Sequence, residues 1–550
     1  MSNIKITYKD KEVEYEKGTS LLDISKDFKD DYKKDIIVAS IDNRLTGLDT
    51  KVTKSSKVMF YDSTSVLGNR TYLRGIYFLL SKAVKDVLNC DVKIMHTLDK
   101  GIYCEILTNN LISEVTTEKI KIRMKELSAE ALPITKIMVS RLEAIEYFSK
   151  INQKDKAASL RFISNSTISL YKLDDCLDYF YDVLPCNTKY LTSYNLKYLK
   201  DNKMILLAPT CYNKEDNLKF ERNESFIRAI ERNDKLLESL KINTSVELNN
   251  TISTGDYGDI IRISESIQNN KLFEIVDSIT KNKDIKIVLI TGASSSGKTT
   301  TSKKLTLFLR SKGFDPIPIS VDDFYVDIEK RVLNEKGEPE KERIEAIDTN
   351  QFNEKISELL DKKEVYLPRY NFVKGIQEGR STPTKMNDNS ILIIEGIHAF
   401  NEKLTEMIPE KNKFKLYIGP LTPLNIDNHN LFSSNDNRLL RRIVRDNRTR
   451  GVGASETLSI WRSVRDAEEE MIFPYIKDAD DILNTSLVYE LGVLKTYAEP
   501  LLFSVSEDDP NYGDALRLIN LFRVILGIPS DDVPNDSIIR EFIGGSCFKE

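Results

Sequence analysis

The run Gly292-Ala293-Ser294-Ser295-Ser296-Gly297-Lys298-Thr299 carries the strongest chemical signal in the sequence. Its glycines and small serines let successive backbone N–H groups curl around phosphate oxygens. Lys298 brings a cation to the β- and γ-phosphates, and Thr299 offers a hydroxyl to Mg²⁺ where a helix begins, with Thr300 as the next residue of that helix. A chance Gly/Ser loop need not stand between strand and helix signals. This one follows the β-branched run DIKIVLIT and opens the helical stretch TTTSKKLTLFLRSKG. The chemistry expected is ATP binding with Mg²⁺.

Three further groups lie downstream. Ser320-Val321-Asp322-Asp323-Phe324-Tyr325 follows the short apolar run DPIPIS, at the strand edge where open α/β sheets bind ligands. A carboxylate there accepts a proton from an attacking hydroxyl, holds Mg²⁺, or merely caps the next helix. With two adjacent Asp the assignment stays open. Ile391-Leu392-Ile393-Ile394-Glu395-Gly396 is an apolar strand ending in an acid, an arrangement that sets Glu395 near the metal. In RLLRRIVRDNRTRG, helical spacing puts Arg438, Arg441, Arg442 and Arg445 on one face, with Arg448 and Arg450 beyond. Such a face is a solvated or salt-bridged surface, a nucleic-acid patch, or a lid that clamps transferring phosphates. Beside the phosphate loop of an acidic chain, the lid is the expectation.

In this order the motifs resemble the phosphoribulokinase and uridine kinase group, over about residues 284–490. The most specific parts are SVDDFY, LPRYNF, IIEGIHAF and RLLRRIVRDNRTRG. The resemblance implies an ATP- and Mg²⁺-dependent nucleoside kinase. Asp322 rather than Asp323 would act on the 5′-hydroxyl, with Tyr325, Tyr370 and Phe372 lining the nucleoside pocket and Asp348 holding ribose hydroxyls. Lys298, Arg441 and Arg445 would serve catalysis, and Arg448 and Arg450 the phosphates. Thr299, Glu395 and Asp322 would serve the metal. One departure is plain: the histidine that reads a pyrimidine in uridine–cytidine kinases has no equivalent, and Gly375 stands there. The resemblance implies uridine or cytidine as acceptor, a base identity this departure leaves open, with a pentose phosphate or pantothenate as alternatives.

Residues 1–62 resemble the TGS domain of threonyl-tRNA synthetase, and about 66–215 its editing domain. The positions that match the editing domain's metal set are Arg74, Phe78, Phe180 and Leu184. None ligates a metal in the usual way, while His96 and Cys176 lie elsewhere, so no editing hydrolysis is expected. RNA remains a candidate partner of this half, and an RNA-associated nucleotide switch is the rival from outside enzymology.

The elements that must position these groups follow from pattern. IKITYKD and KEVEYEKG read as a strand pair and TSLLDISKDF as a helix of a β-grasp module. An α+β unit covers 66–215, within which YKLDDCLDYFYDVLPC reads as irregular. Residues 216–283 read as a helical connector. DIKIVLIT, DPIPIS, SILIIEG, KFKLYIG and DDILNTS are buried strands of a parallel α/β domain over 284–490, followed by a helical extension over 491–550. At 550 residues, 40% hydrophobic and 30% charged, several domains are expected. The net charge of −5 gives no global nucleic-acid signal. The six Cys form no CxxC pair, MSNIKITYKDKEVEYEKG is no secretory signal, and no apolar run reaches bilayer length. A cytoplasmic, membrane-free protein is expected, as a monomer or homo-oligomer. The tail residue Cys547 is expected to be packed or merely exposed.

Overall fold

The structure, a computed structural model, describes residues 3–98, 101–212, 218, 220, 222–333, 337, 343–371, 374–380, 382–422 and 424–548. Phe372 lies outside the described residues. The N-terminal unit comprises β1 (Asn3–Tyr8), β2 (Lys11–Glu16), α1 (Leu21–Ser25), β3 (Ile36–Ile41), β4 (Arg44–Thr46) and β5 (Ser56–Asp62). Its sheet order is β2-β1-β5-β3-β4, with β1 and β5 parallel. This is a β-grasp arrangement, its helix started by Ser20, whose side chain accepts from the Asp23 N–H.

The second unit contains α2 (Val66–Leu88), β6 (Asp91–Leu98), β7 (Gly101–Leu107), α3 (Glu114–Ala129), β8 (Ile134–Ser140), α4 (Arg141–Lys150), α5 (Lys154–Ser159), β9 (Thr167–Leu173), β10 (Cys176–Asp178), β11 (Asn195–Lys200) and β12 (Lys203–Leu207). Its sheets run β11-β12-β7-β6 and β10-β9-β8. The stretch expected to be irregular therefore starts as the β9–β10 hairpin, turning at Asp174 with φ 53°. Two acidic residues in a tight turn hid the alternation on either side. Arg74, Phe78, Phe180 and Leu184 are all buried: the Phe78 and Phe180 ring centroids are 5.5 Å apart, and Arg74 donates to Val183 O and pairs with Asp182 at 3.0 Å. Packed rings and an ion pair thus occupy the positions of a metal set. Among the described residues no group of three metal-ligating side chains occurs.

Helices α6 (Glu224–Leu240), α7 (Ser245–Thr254) and α8 (Tyr257–Lys281) lead to β13 (Ile287–Thr291), α9 (Lys298–Ser311), β14 (Asp315–Ser320), α10 (Thr349–Leu360), β15 (Pro368–Asn371), β16 (Ile376–Arg380), β17 (Ser390–Glu395), α11 (Glu402–Thr405), β18 (Lys413–Gly419), α12 (Ser434–Arg450), α13 (Ala454–Met471) and β19 (Asp481–Asn484). The chain ends in α14 (Glu490–Phe503), α15 (Tyr512–Phe522) and α16 (Arg540–Ile543). The central sheet is parallel throughout, in the order β14-β17-β13-β18-β19. Alternate residues of each strand serve opposite cores. Val288, Ile290, Ile391, Ile393 and Leu416 pack with α8 and α9, whereas Ile287, Leu289, Leu392 and Ile394 pack with α6 and α10. The helices α6 and α8 are therefore layers on the sheet rather than the connector expected for 216–283. Their apolar stripes, Phe226–Ile227–Ile230 and Leu272–Ile275–Val276–Ile279, need a sheet face to leave water.

The second unit and the central domain are fastened together. Ile94 N–H of the outer strand β6 donates to Asn428 O at 2.7 Å, and the Asn425 amide donates to Ile94 O and Met95 O. His429 binds Asp91 through Nε2 at 2.7 Å and Asp178 through Nδ1 at 2.6 Å, and Lys156 pairs with Asp178. Burial and Lys156 push the His429 imidazolium down, but Asp91 and Asp178 prevail and hold its pKa up at about 10. The extension reaches the N-terminal unit, where Arg44 pairs with Glu507 at 2.5 Å. Among the described residues no helix is long and apolar enough to cross a membrane.

Candidate active site

The chain leaves β13, goes out to β14, returns to β17 beside β13, and then crosses to β18 on β13's other side. The carboxyl end of β13 thus lies where the connections reverse direction, the place open α/β sheets use for ligands. The phosphate loop occupies it. A Cβ at Gly292 would sit 2.2 Å from Ile418 O, so only glycine lets the loop leave the sheet there. Ser295 (φ 58°) and Gly297 (φ 91°) make the left-handed turns that curl the loop into a cradle before α9 begins. Lys298 folds back over it, its ammonium donating to Gly292 O and Ala293 O at 2.9 and 3.1 Å. Thr299 is exposed at the mouth.

Two carboxylates face this cradle. Glu395 ends β17, in register with Ser320 on β14 and Ile290 on β13, and accepts from Ser320 Oγ at 3.2 Å. Asp322 lies on the single 3₁₀ turn Val321–Phe324 that follows β14. Burial pushes the Asp322 carboxyl up; Lys298 opposes this and Asp323 reinforces it. Glu395 is pushed up to about 7, first by burial and then by Asp322. Burial pulls the Lys298 ammonium down, against Glu395 and Asp322. Asp323 is turned elsewhere: it accepts from the Tyr370 N–H at 3.3 Å and pairs with Arg369 at 3.5 Å.

A folded state that keeps a proton on Glu395 up to about pH 7, while the unfolded chain releases it near the ordinary glutamate value, loses stability as pH rises through that window. Glu395→Gln is therefore expected to raise the melting temperature in magnesium-free buffer, by more at pH 8 than at pH 5. Thermal melts at the two values check this, and a pH-independent difference would refute it.

The acceptor side is a wall of rings. Tyr325 and Tyr370, the latter on the β15–β16 hairpin, have centroids 5.6 Å apart. Arg331, which the sequence reading missed, lies 4.6 Å from the Tyr325 ring and 5.3 Å from that of Tyr370, and donates to the Tyr370 hydroxyl at 2.5 Å. Asp348, expected to hold ribose, instead caps α10: its carboxylate accepts from the Gln351 N–H at 2.9 Å. The sequence Asp-Thr-Asn-Gln at a helix start is as good a cap as a ligand.

The arginine face of α12 corrects the sequence expectation most clearly. It is not a lid but a brace behind the loop. Arg441, 0% exposed, binds Glu490 with two hydrogen bonds at 2.6 and 2.8 Å and directs Nη1 at Ser295 O and Ser296 O, at 3.3 and 3.5 Å. Arg438 donates to Ser294 O at 3.2 Å and to Glu468 at 2.6 Å, and Arg442 donates to Ser294 Oγ at 3.0 Å. Glu468 in turn accepts from the Ser294 N–H at 2.8 Å. Asp446 gathers Arg442, Arg445 and Arg450. Leu439, Leu440, Ile443 and Val444 are buried too, so the helix up to Val444 is core all round, and Arg438 and Arg441 point inward at loop carbonyls. Glu468 and Glu490, the acids that make this tolerable, lie too far along the chain for helical spacing to pair them with the arginines. Arg448 donates to Glu541 O and Phe542 O, both at 3.1 Å. Arg450, 55% exposed, is left at the cleft, where its charge reaches Asp322. Thr300, counted with the loop, binds Glu541.

Residues 287–488 match the model of the Phosphoribulokinase / Uridine kinase family. The N-terminal part is similar to threonine–tRNA ligases, at 25% identity over 232 residues to that of Francisella tularensis subsp. tularensis and 24% to that of subsp. novicida. The match covers 40% of this chain and 36% of those ligases, so the chain spans about a third of the length of the curated relatives it matches. Among solved structures, one described as a possible uridine kinase from Bacillus stearothermophilus is 19% identical (TM-score 0.27), covering 40% of this chain and 98% of that one. D-glycerate 3-kinase from Cryptococcus neoformans var. grubii is 14% identical (TM-score 0.22), covering 48% and 89%.

Proposed function

We propose, on the match of residues 287–488 to the phosphoribulokinase/uridine kinase family model, that the chain transfers the γ-phosphoryl group of ATP to a hydroxyl of a small molecule, and that this hydroxyl is the 5′-OH of uridine or cytidine. The observation that carries the reading is the convergence of three parts: the loop with Lys298, the carboxylates Asp322 and Glu395 beside it, and the Tyr325–Tyr370 pair on the acceptor side. Rings stack a flat base, and a carboxylate next to the phosphate cradle meets the sugar's hydroxyl.

Asp322 takes the acceptor's proton as its oxygen bonds to the γ-phosphorus. The bond from that phosphorus to the β–γ bridging oxygen breaks, and ADP leaves with the electron pair. Lys298 and the loop N–H groups hold the β- and γ-phosphates, and Arg450 neutralises charge at the rim. Two crowded carboxyls, each with its pKa raised, mark a place short of a cation, and with the Thr299 hydroxyl they would supply oxygen ligands of the kind Mg²⁺ takes. Mg²⁺ held there would offset phosphate charge.

Arg331 favours a second reading. A guanidinium between the two tyrosines suits an acceptor with an anionic group, such as a pentose phosphate or pantothenate. ATP consumption with Mg²⁺ against nucleosides, pentose phosphates and pantothenate separates the two. Turnover on uridine or cytidine supports the first; turnover confined to anionic acceptors, lost in Arg331→Ala, replaces it with the second. No turnover on any acceptor, from protein that binds ATP, would refute both and leave the RNA-associated switch.

A further inference from the structure

The C-terminal segment lies on the phosphate loop. The Thr300 N–H donates to Glu541 Oε2 at 3.1 Å and the Thr300 hydroxyl at 2.8 Å. Both donors belong to the first turn of the 14-residue helix α9, the turn whose free N–H groups and dipole favour phosphate. A side-chain carboxylate therefore occupies donors that a nucleotide's phosphates would use. The segment is seated at further points: Ile538 closes over Gly297, where an added Cβ would come within 2.6 Å of its Cγ2, and Lys304 pairs with Asp536 at 3.2 Å. Arg448 holds the carbonyls of Glu541 and Phe542, and the Phe542 ring lies 5.1 Å from the Arg441 guanidinium.

We propose that residues 536–543 form an autoinhibitory strap in which Glu541 stands in for a phosphate of the nucleotide. The strap engages the start of α9, which ATP needs, and Arg448 at the end of α12, so its lifting frees both at once. Negative charge on Glu541 opposes an incoming phosphate twice, by occupying its donors and by repulsion. The inference rests on the nucleotide reading of the loop. If the strap is closed nine times in ten, apparent ATP affinity falls about tenfold.

Ile538, Ile539 and Phe542 are buried, so point variants serve better than truncation. Titration calorimetry of the full chain with Mg–ATP is expected to show Glu541→Ala binding about tenfold tighter than wild type, and Glu541→Gln in between. Hydrogen exchange of residues 536–548 in the wild type is expected to rise when ATP binds. Equal or weaker ATP binding by Glu541→Ala that melts like wild type would overturn the strap and leave the kinase reading standing, as would unchanged exchange on ATP binding. If neither protein binds ATP, the strap falls together with the nucleotide reading.

Discussion

Asp322→Asn is expected to lower phosphoryl transfer by about 10²–10⁴-fold, the usual worth of a positioned general base, while the fold and ATP affinity without Mg²⁺ hold. The amide keeps the size of the carboxylate and removes its capacity to take the acceptor's proton together with its negative charge beside Lys298. Because burial and Asp323 raise the Asp322 carboxyl while Lys298 restrains it, the group is a stronger base than an exposed aspartate. Lys298→Ala is expected to cost about 10²–10³-fold, comparable to losing one preorganised donor to transition-state charge. It differs in kind, because it weakens ATP binding as well. Steady-state kinetics with the preferred acceptor, beside ATP binding by calorimetry, reads both. Full activity in Asp322→Asn would move the base elsewhere. Asp323 is a poor substitute, since its carboxylate is engaged by the Tyr370 N–H and Arg369.

The largest effect on stability is expected at Arg441→Met, at about 3–5 kcal/mol, because it leaves Glu490, 2% exposed, charged and without its partner. Among the described residues Glu490 would keep only the Leu487 N–H at 3.0 Å. The double variant Arg441→Met, Glu490→Gln is expected to recover most of the loss, because the amide oxygen still accepts from Leu487 and no charge stays buried. Thermal melts of the two variants decide. If Arg441 were a lid residue in solvent, Arg441→Met would leave melting almost unchanged and lower only turnover, since surface substitutions rarely exceed about 0.5 kcal/mol.

The two arginine readings show where sequence reasoning succeeds and stops. Local order was legible: DIKIVLIT, SILIIEG and KFKLYIG became the inner parallel strands because a strand buried on both faces is largely apolar, and DPIPIS and DDILNTS became the edges, buried only in part. The phosphate loop was legible because its glycines answer to backbone geometry, as the contact between Gly292 and Ile418 O demonstrates. Partners distant in sequence were not. Helical spacing correctly put Arg438, Arg441, Arg442 and Arg445 on one face, but whether that face meets solvent depends on Glu468 and Glu490, on other elements. Arg331 and Glu541 carry no motif at all; only the folded chain brings one to the tyrosines and the other to Thr300. Asp348 shows the converse, a residue type that suits both a ligand and a cap, where the local N–H groups won.

Residues 425–430 complete the outer edge of β6, and their histidine neutralises carboxylates of the second unit. The synthetase-like half is consequently no detachable cassette. Cut off near residue 215, it would present the bare edge of β6 to other molecules, an invitation to strand addition and clumping. It would also confine Asp178 with Lys156 alone where a second cation had balanced Asp91. Work on what this half recognises therefore belongs on the intact chain, with surface substitutions rather than excision as the scalpel.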